Sequence, residues 1–207
     1  MKILFVCTGN TCRSPMAEAL LKSKLPDIEV KSAGVFAHEG EQMSANAIKA
    51  LKEKQIDASH QSQMVTPSLL QWADVVLTMT TGHKQTLMID YPNFQEKYYT
   101  LKEYVSQADK EVWDQLKQVY AQLELKRSQF IKENEHKLNH NTLERKLAQL
   151  LKEELQQMND LEQKLMNSDI SDPFGGHLLV YRKTLEEIEE QIDLLVEKIQ
   201  SGDAYEK

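Results

Sequence analysis

The sequence has little cysteine. Its 207 residues include only Cys7 and Cys12, which lie five positions apart in one segment. Small secreted domains often carry several cysteines along the chain as a disulfide framework, and no such pattern exists here. The cysteine usage therefore predicts a protein with reduced thiols, and we expect it in the cytoplasm.

Long apolar runs and an excess of basic residues are also lacking. No stretch is long and apolar enough to span a bilayer, and the opening run Met1 to Val6 is too short for a secretory signal. The net charge is −7, so no positive field attracts nucleic acid or an anionic membrane surface. We therefore expect neither nucleic acid nor membrane as a partner. An anionic substrate would have to be bound by local geometry.

Short apolar runs alternate with amphipathic segments along most of the chain. The pattern predicts strands over 3–6, 28–32, 75–77 and 98–101. It predicts helices from Ser14-Pro15 onward, over 46–54, from Thr66-Pro67 to about Trp72, and over 178–199. Ser14 is expected to cap the first helix. This alternation predicts an α/β fold, a doubly wound four-stranded parallel sheet with helices on both faces.

Glycine and proline are both absent from Asn93 to Asp172. Two sets of apolar residues recur there at three- and four-residue spacing, as on one face of a helix. They are Trp113, Leu116, Tyr120 and Leu123, then Leu143, Leu147, Leu151, Leu155, Met158, Leu161 and Leu165. We predict an inserted, coiled-coil-like antiparallel helical hairpin over 107–168, between two parts of the α/β domain, 1–106 and 169–207. It is a solvated surface insertion, a surface that binds a second copy or another protein, or an element whose base influences how Asp172 closes over the pocket.

The densest group of reactive residues follows the first strand. It is the run Cys7-Thr8-Gly9-Asn10-Thr11-Cys12-Arg13-Ser14. Backbone N–H groups of a tight loop and of a helix N-terminus can surround phosphoryl oxygens, and Gly9 lets the backbone approach them. Arg13 adds a planar charged fork for two oxygens. The same positive environment favours the thiolate of Cys7, the nucleophile, to which Ser14 can donate a hydrogen bond.

This run predicts a cysteine-dependent phosphatase with Cys7 and Arg13 as catalytic residues. We assign phosphate and substrate binding to the remaining residues of the run, Thr8, Gly9, Asn10, Thr11, Cys12 and Ser14. Asn10 is expected to shape the loop rather than to react. The alternative, a structural cysteine beside a capping serine, leaves Gly9, Asn10 and Arg13 unexplained.

Phosphoryl transfer from a poor leaving group also needs a proton donor. Asp172 is the best candidate, because Pro173 restricts it to extended conformations and the two glycines after Phe174 let the segment fold over a pocket. Phe174 would supply an apolar or stacking wall of the substrate site. Asp169 is the competing acid, and a plain turn is the alternative for the whole segment.

These residues resemble the low-molecular-weight protein tyrosine phosphatase family. The resemblance rests on Cys7-x-Gly9-Asn10-x-Cys12-Arg13-Ser14-Pro15, Ser32-Ala33-Gly34 and Asp172-Pro173. It covers residue 1 to about 105 and 169 to the C-terminus, and the predicted hairpin departs from the family pattern. The resemblance implies a cysteinyl-phosphate intermediate on Cys7, with Asp172 first as acid and then as base. It implies no cofactor, and the scattered histidines predict no metal site.

Within that family the chain looks most like the bacterial protein-arginine phosphatases. Thr11 stands where tyrosine phosphatases usually carry an aliphatic residue, and Phe174-Gly175-Gly176 where the eukaryotic tyrosine enzymes carry tyrosines. The runs Ser32 to Ala37 and Thr100 to Val105 fit the same branch. A threonine hydroxyl suits a guanidinium, which is rich in N–H donors, better than it suits an aromatic ring. We expect phosphorylated proteins as substrates, dephosphorylated at arginine.

Other functions stay open at this point. A protein-tyrosine phosphatase of the same family is the first alternative. An arsenate reductase would need further cysteines to relay a disulfide, and none follows Cys12. A phosphate-docking scaffold without catalysis would not need Cys7, Arg13 and Asp172 together. Cys12 either forms a reversible disulfide that protects Cys7 or is a small residue packed under the loop.

Overall fold

The computed structural model describes residues 1–134, 140–165 and 168–202. The contacts divide the chain into two units, one formed by Met1–Val105 with Ser168–Lys207 and the other by Ser106–Asn167. The first unit contains the sheet and every predicted site residue. In the second unit all the described secondary structure is helical.

The sheet of the first unit has four strands. They are β1 (Lys2–Cys7), β2 (Glu29–Gly34), β3 (Val75–Thr78) and β4 (Tyr98–Thr100). All pairs are parallel, and the order across the sheet is β2-β1-β3-β4. Cys7 pairs with Gly34, and Val6 pairs with Thr78. The carboxyl ends of β1, β2 and β3 therefore meet at one edge, where open parallel sheets bind ligands.

Helices cover both faces of this sheet. In chain order the helices are α1 (Arg13–Lys24), α2 (Ala45–Glu53), α3 (Pro67–Trp72), α4 (Thr81–Asp90), α5 (Leu101–Val105), α6 (Gln107–Asn134), α7 (His140–Leu150), α8 (Lys152–Leu165) and α9 (Leu178–Ser201). Alternate side chains of β1 point to opposite faces. Ile3 and Phe5 pack with α1, α2 and α9, while Leu4 and Val6 pack with α3 and α4. Burial of each is worth about 1.5–3 kcal/mol. The predicted doubly wound α/β fold is confirmed.

Local sequence rules explain the start of α3 and miss others. Helix α3 begins at Pro67, as predicted from Thr66-Pro67, and Thr66 caps it, because its side chain accepts a hydrogen bond from the Leu69 N–H. The prediction that Ser14 caps α1 is wrong: α1 begins at Arg13, and Ser14 lies inside the first turn. Helix α4 was not predicted, because His83 and Leu87 are its only buried residues and give no apolar stripe. The short α5 was not predicted either.

Helices α6 and α8 pack against each other in the second unit. Val119 is buried with Leu161, and Lys126 pairs with Glu154. The α6 position rises by seven residues as the α8 position falls by seven, so these two helices run antiparallel. A single residue, Leu151, separates α7 from α8.

The division at Leu151 was not expected, although helical hydrogen bonds continue across it. The Leu151 N–H donates to the Leu147 carbonyl at 3.0 Å, and the Leu155 N–H donates to the Leu151 carbonyl at 2.9 Å. Leu151 is buried, whereas Leu155, expected on the same apolar stripe, is 43% exposed. The predicted side-chain positions of Trp113, Leu116, Tyr120 and Leu165 lie outside the described residues.

In the described part of the chain, no helix combines the length and the apolar character that a bilayer crossing needs.

Candidate active site

The thiol of Cys7 lies at the end of β1 and is surrounded by donors. Its Sγ is 3.0 Å from the Ser14 hydroxyl and accepts the Asn10 backbone N–H at 3.3 Å. We call residues 7–14 the phosphate loop. The loop joins β1 to α1, so the thiol faces the N-terminus of a helix, where unpaired N–H groups favour a negative charge.

Asn10 holds the phosphate loop in its turn. Its backbone φ is 55°, in the left-handed region that costs free energy for a residue other than glycine. The buried side chain fixes this conformation, because Nδ2 donates to the hydroxyls of Ser14 and Ser32, both at 2.9 Å. Its Oδ1 accepts from the Gln63 backbone N–H at 2.9 Å and contacts His60 Nε2 at 3.1 Å. Asn10 thus orients the hydroxyl that contacts the Cys7 thiol.

Gly9 within the phosphate loop and Gly34 beside it have different roles. Gly34 ends β2, and a Cβ there would lie 2.5 Å from the Thr8 carbonyl oxygen and 3.0 Å from the Asn10 nitrogen. Only glycine therefore allows β2 to approach the loop so closely. A Cβ at Gly9 would have Thr11 Oγ1 as its nearest neighbour at 3.8 Å, so no protein atom requires glycine there. The left-handed residue of the loop is Asn10, not Gly9.

Arg13 and Asp172 meet at the mouth of the loop. Arg13 is 4% exposed, and its Nη2 donates to Asp172 Oδ2 at 2.7 Å. Its Nη1 donates to the Ile170 carbonyl at 3.4 Å. The Asp172 side chain is 51% exposed, so this carboxylate lies between the buried guanidinium and solvent. The structure therefore brings Asp172 into contact with Arg13, 159 positions away in the sequence and part of the same loop as Cys7.

The competing acid, Asp169, has different contacts. Its Oδ1 accepts from the Thr81 backbone N–H at 2.7 Å and from the Thr81 hydroxyl at 3.0 Å. The neighbouring Ile170 N–H donates to the Met79 carbonyl at 2.8 Å. Asp169 is thus used to fasten the segment that carries Asp172 to the start of α4. We call residues 169–176 the acid loop.

Glu187 on α9 holds the acid loop from the other side. Its Oε2 accepts from the Ser171 hydroxyl at 2.6 Å and from the Ser171 N–H at 3.1 Å. Its Oε1 accepts from Lys102, which also donates to the Asp169 carbonyl at 2.9 Å. Burial alone would raise the pKa of Glu187, but the bonds from Lys102 and Ser171 outweigh it and lower that pKa.

The residues predicted to bind substrate, Thr11, Cys12 and Phe174, differ in burial and contacts. Thr11 is half-buried, and its hydroxyl is 3.7 Å from Cys12 Sγ. Cys12 is buried, and its Sγ is 3.5 Å from the Tyr181 hydroxyl, so this thiol packs between the loop and α9. Burial and the neighbouring Cys12 raise the pKa of Tyr181. Phe174 on the acid loop is 81% exposed.

A family model described as low molecular weight phosphotyrosine protein phosphatase matches residues 2–159. The chain belongs to the low molecular weight phosphotyrosine protein phosphatase family. The match starts at β1 and includes the phosphate loop.

Members of this family with different substrates resemble the chain. A protein-arginine-phosphatase of Geobacillus stearothermophilus is 38% identical over 201 residues, 97% of this chain and 97% of the relative. The low molecular weight protein-tyrosine-phosphatase PtpB of Staphylococcus epidermidis is 41% identical over 105 residues, 51% of this chain and 74% of the relative. A solved structure of a cysteine-to-serine mutant of YwlE arginine phosphatase, with a phosphorylated active-site serine, has a TM-score of 0.66 at 31% identity and covers 97% of this chain and 96% of that one.

Four further residues of this low molecular weight phosphatase site were not predicted from the sequence. They are Ser32, His60, Gln63 and His83, and each contacts the phosphate loop from another part of the chain. Only Ser32 belonged to a recognised motif, the Ser-Ala-Gly run at the end of β2. Among the described residues, no three His, Cys, Asp or Glu side chains form a group able to hold a metal ion.

Proposed function

We propose that this protein hydrolyses phosphoarginine in proteins through a cysteinyl-phosphate intermediate. The observation that carries the proposal is the pairing of the Cys7 phosphate loop with Asp172, in a chain 38% identical over 97% of its length to a protein-arginine-phosphatase. A phosphatase needs a nucleophile, a charged clamp for the phosphoryl oxygens and a proton donor. Cys7, Arg13 and Asp172 supply these three functions.

In the first step the Cys7 thiolate attacks phosphorus in line with the bond to the leaving nitrogen. The S–P bond forms and the P–N bond breaks, while Asp172 donates a proton to the departing guanidine nitrogen. Arg13 and the loop N–H groups hold the equatorial oxygens. The Asp172 side chain is half exposed, so the leaving nitrogen can reach its protonated carboxyl group once Arg13, 2.7 Å from Asp172 in the structure, binds the phosphoryl oxygens instead.

In the second step water attacks the cysteinyl phosphate. Asp172 accepts a proton from that water, the S–P bond breaks, and inorganic phosphate and the Cys7 thiolate are released. The Ser14 hydroxyl, 3.0 Å from Sγ, stabilises the departing thiolate. The phosphorylated active-site serine of the related YwlE mutant supports such an intermediate, because a serine in place of the nucleophile carries the phosphoryl group there.

Specificity for arginine is assigned to Thr11. Its hydroxyl can accept an N–H from a guanidinium, whereas an aromatic ring would gain more from an aliphatic side chain at this position. The test compares kcat/KM on matched phosphoarginine and phosphotyrosine peptides for the native chain and for Thr11→Val, which keeps the side-chain volume. We expect the native chain to prefer phosphoarginine and the variant to lose mainly that activity.

A protein-tyrosine phosphatase is the second candidate function. It is favoured by the PtpB relative and by the exposed ring of Phe174, which could stack on a phenol. A higher kcat/KM on the phosphotyrosine peptide would establish it and would overturn the arginine assignment. Either way, Cys7→Ser should abolish turnover. Asp172→Asn should lower kcat by about 10²–10⁴-fold.

We further propose a cytoplasmic location and a role for residues 107–168 as a separate, coiled-coil-like helical domain. The antiparallel packing of α6 on α8 supports the second part. Its outer surface would bind a second copy of the chain or another protein. Sedimentation of the full chain over a hundredfold concentration range tests self-association, and a constant monomer mass would overturn the binding of a second copy.

A further inference from the structure

A buried histidine joins the phosphate loop to the start of α4. His83 is 7% exposed, and both of its ring nitrogens contact hydroxyls. Nε2 is 2.8 Å from Thr8 Oγ1, and Nδ1 is 2.8 Å from Thr80 Oγ1. None of the steps described above uses His83, although it touches the residue next to the nucleophile.

The hydrogen-bond partners determine which nitrogen carries the proton. Thr80 caps α4, and its Oγ1 accepts the His83 backbone N–H at 3.2 Å. Its own proton needs an acceptor, and in the described structure only Nδ1 of His83 offers one. Thr80 therefore donates to Nδ1, and the ring proton resides on Nε2. The opposite tautomer would leave the Thr80 hydroxyl proton without a partner in a part-buried position, which costs free energy.

With the proton on Nε2, His83 donates to Thr8 Oγ1. The proton of the Thr8 hydroxyl then cannot point back toward the ring. Thr8 is exposed on the phosphate loop, and the described residues provide no other partner for its hydroxyl. That proton is left to point outward, toward an anion held by the loop.

We propose that His83 is a positioning residue that orients the Thr8 hydroxyl as a donor to an oxygen of the transferred phosphoryl group. This rests on the proposed phosphatase function, but it does not depend on whether arginine or tyrosine carries the phosphoryl group. Donors fixed before the reaction stabilise developing charge without reorganising. The Thr8 hydroxyl would thus add one oriented donor to the N–H groups of the loop and to Arg13.

The charge state of the ring supports this arrangement. Burial and the Arg13 guanidinium lower the pKa of His83 to about 4, against the opposite influence of Asp172 and Asp169. The ring is therefore neutral near pH 7, and one nitrogen must be an acceptor while the other is a donor. A neutral ring also avoids placing a second cation beside Arg13.

The test is a set of four single variants and one double variant, assayed with p-nitrophenyl phosphate and with a phosphoarginine peptide. Thr8→Val removes the hydroxyl, and Thr8→Ser keeps it as the matched control. His83→Gln places an amide N–H near the position of Nε2, whereas His83→Asn places one near Nδ1 and leaves Thr8 without its donor. Inorganic phosphate serves as the competitive probe of the anion site.

We expect Thr8→Val and His83→Asn each to lower kcat/KM by about ten- to hundredfold, the range for a hydrogen bond to a charged group. The kcat/KM should fall by the same factor for both substrates, and the Ki of inorganic phosphate should rise. Thr8→Ser and His83→Gln should each be clearly more active than Thr8→Val and His83→Asn, because each keeps the hydrogen-bond donor that its partner variant removes. The double variant Thr8→Val/His83→Asn should be no worse than either single variant, because both remove one interaction.

A Thr8→Val variant with native kcat/KM on both substrates would overturn the proposal. Additive losses in the double variant would do the same, since they would mean that His83 acts through packing alone. A loss confined to the phosphoarginine peptide would show that Thr8 contacts the guanidinium instead. If the native chain preferred phosphotyrosine, the arginine assignment would fall. The kcat/KM values of the variants on p-nitrophenyl phosphate would still test the role of His83.

Discussion

Acidification from pH 7 to pH 5 should destabilise the first unit through His83, and His83→Gln should remove that contribution. The histidine is almost fully buried between two hydroxyls. Burial and the nearby Arg13 charge both disfavour the protonated ring. Glutamine cannot gain a proton in this range. The variant and the native chain should therefore differ in how their free energies of unfolding depend on pH.

The size of the effect follows from the two pKa values of one group. The pKa of His83 is about 4 in the folded protein, against an ordinary value of 6.5. Between these values the unfolded chain binds a proton that the folded chain refuses, so the free energy of unfolding falls as the pH falls. The loss attributable to His83 is about 2 kcal/mol at pH 5 and approaches about 3 kcal/mol below pH 4. It is nearly absent at pH 7.

Urea unfolding at several pH values between 5 and 7.5 measures this difference. At each pH the native chain is compared with two variants, His83→Gln and His38→Gln. His38→Gln is the control, because the His38 side chain is exposed. The free energy of the native chain minus that of His83→Gln should fall by about 2 kcal/mol from pH 7 to pH 5. The free energy of the native chain minus that of His38→Gln should not show this fall. Proton NMR of the imidazole resonances gives the His83 pKa directly.

Two results would refute the reasoning. One is a His83 resonance that titrates near pH 6.5, because the ring would then exchange with solvent despite its burial. The other is a constant difference between the native chain and His83→Gln over the whole pH range, with the m-value unchanged. In that case the hydroxyl contacts of His83 would not depend on a neutral ring.

The close approach of Gly34 to the phosphate loop and the contact of Glu187 with Ser171 should each affect activity. Gly34→Ala should cost about 1–3 kcal/mol in urea unfolding and lower kcat/KM, because its Cβ would lie 2.5 Å from the Thr8 carbonyl and displace the phosphate loop. Gly82→Ala is the matched control, since the nearest atom to its Cβ is 3.7 Å away and alanine favours a helix by up to about 1 kcal/mol. Glu187→Ala should lower kcat about fivefold with little change in KM in steady-state assays, since Ser171 loses an anchor worth about 1 kcal/mol.

The core of the site could be predicted from the sequence because its parts are local. Cys7, Arg13 and Ser14 lie within one turn of chain between a buried strand and a helix, so strand-loop-helix order places them together. Asp172 could be predicted from its Pro-Phe-Gly-Gly context and from the need for a proton donor. That Asp172, rather than Asp169, reaches Arg13 depends on the path of the acid loop, which the sequence alone does not specify.

Contacts between distant segments could not be predicted. His83 lies 75 positions from Thr8, and nothing in its neighbourhood marks it except a capping threonine three residues earlier. Helix α4 lacks an apolar stripe, so periodicity missed the element that carries this histidine. Asn10 was correctly expected to shape the loop, yet its left-handed backbone depends on Gln63 and Ser32, which other parts of the chain supply.

One turn contacts both the phosphate loop and the acid loop. Residues 79–83 contact the phosphate loop through His83 and Thr8 at 2.8 Å, and they contact the acid loop through Ile170 and Asp169 at 2.8 and 2.7 Å. The two loops have no covalent connection shorter than 150 residues, so their relative position depends on such shared supports. In the proposed mechanism Asp172 and Cys7 act on opposite sides of the phosphorus atom, so a shift of this turn would misplace both groups together. The turn thus includes a buried polar histidine whose lowered pKa makes it costly for stability at low pH.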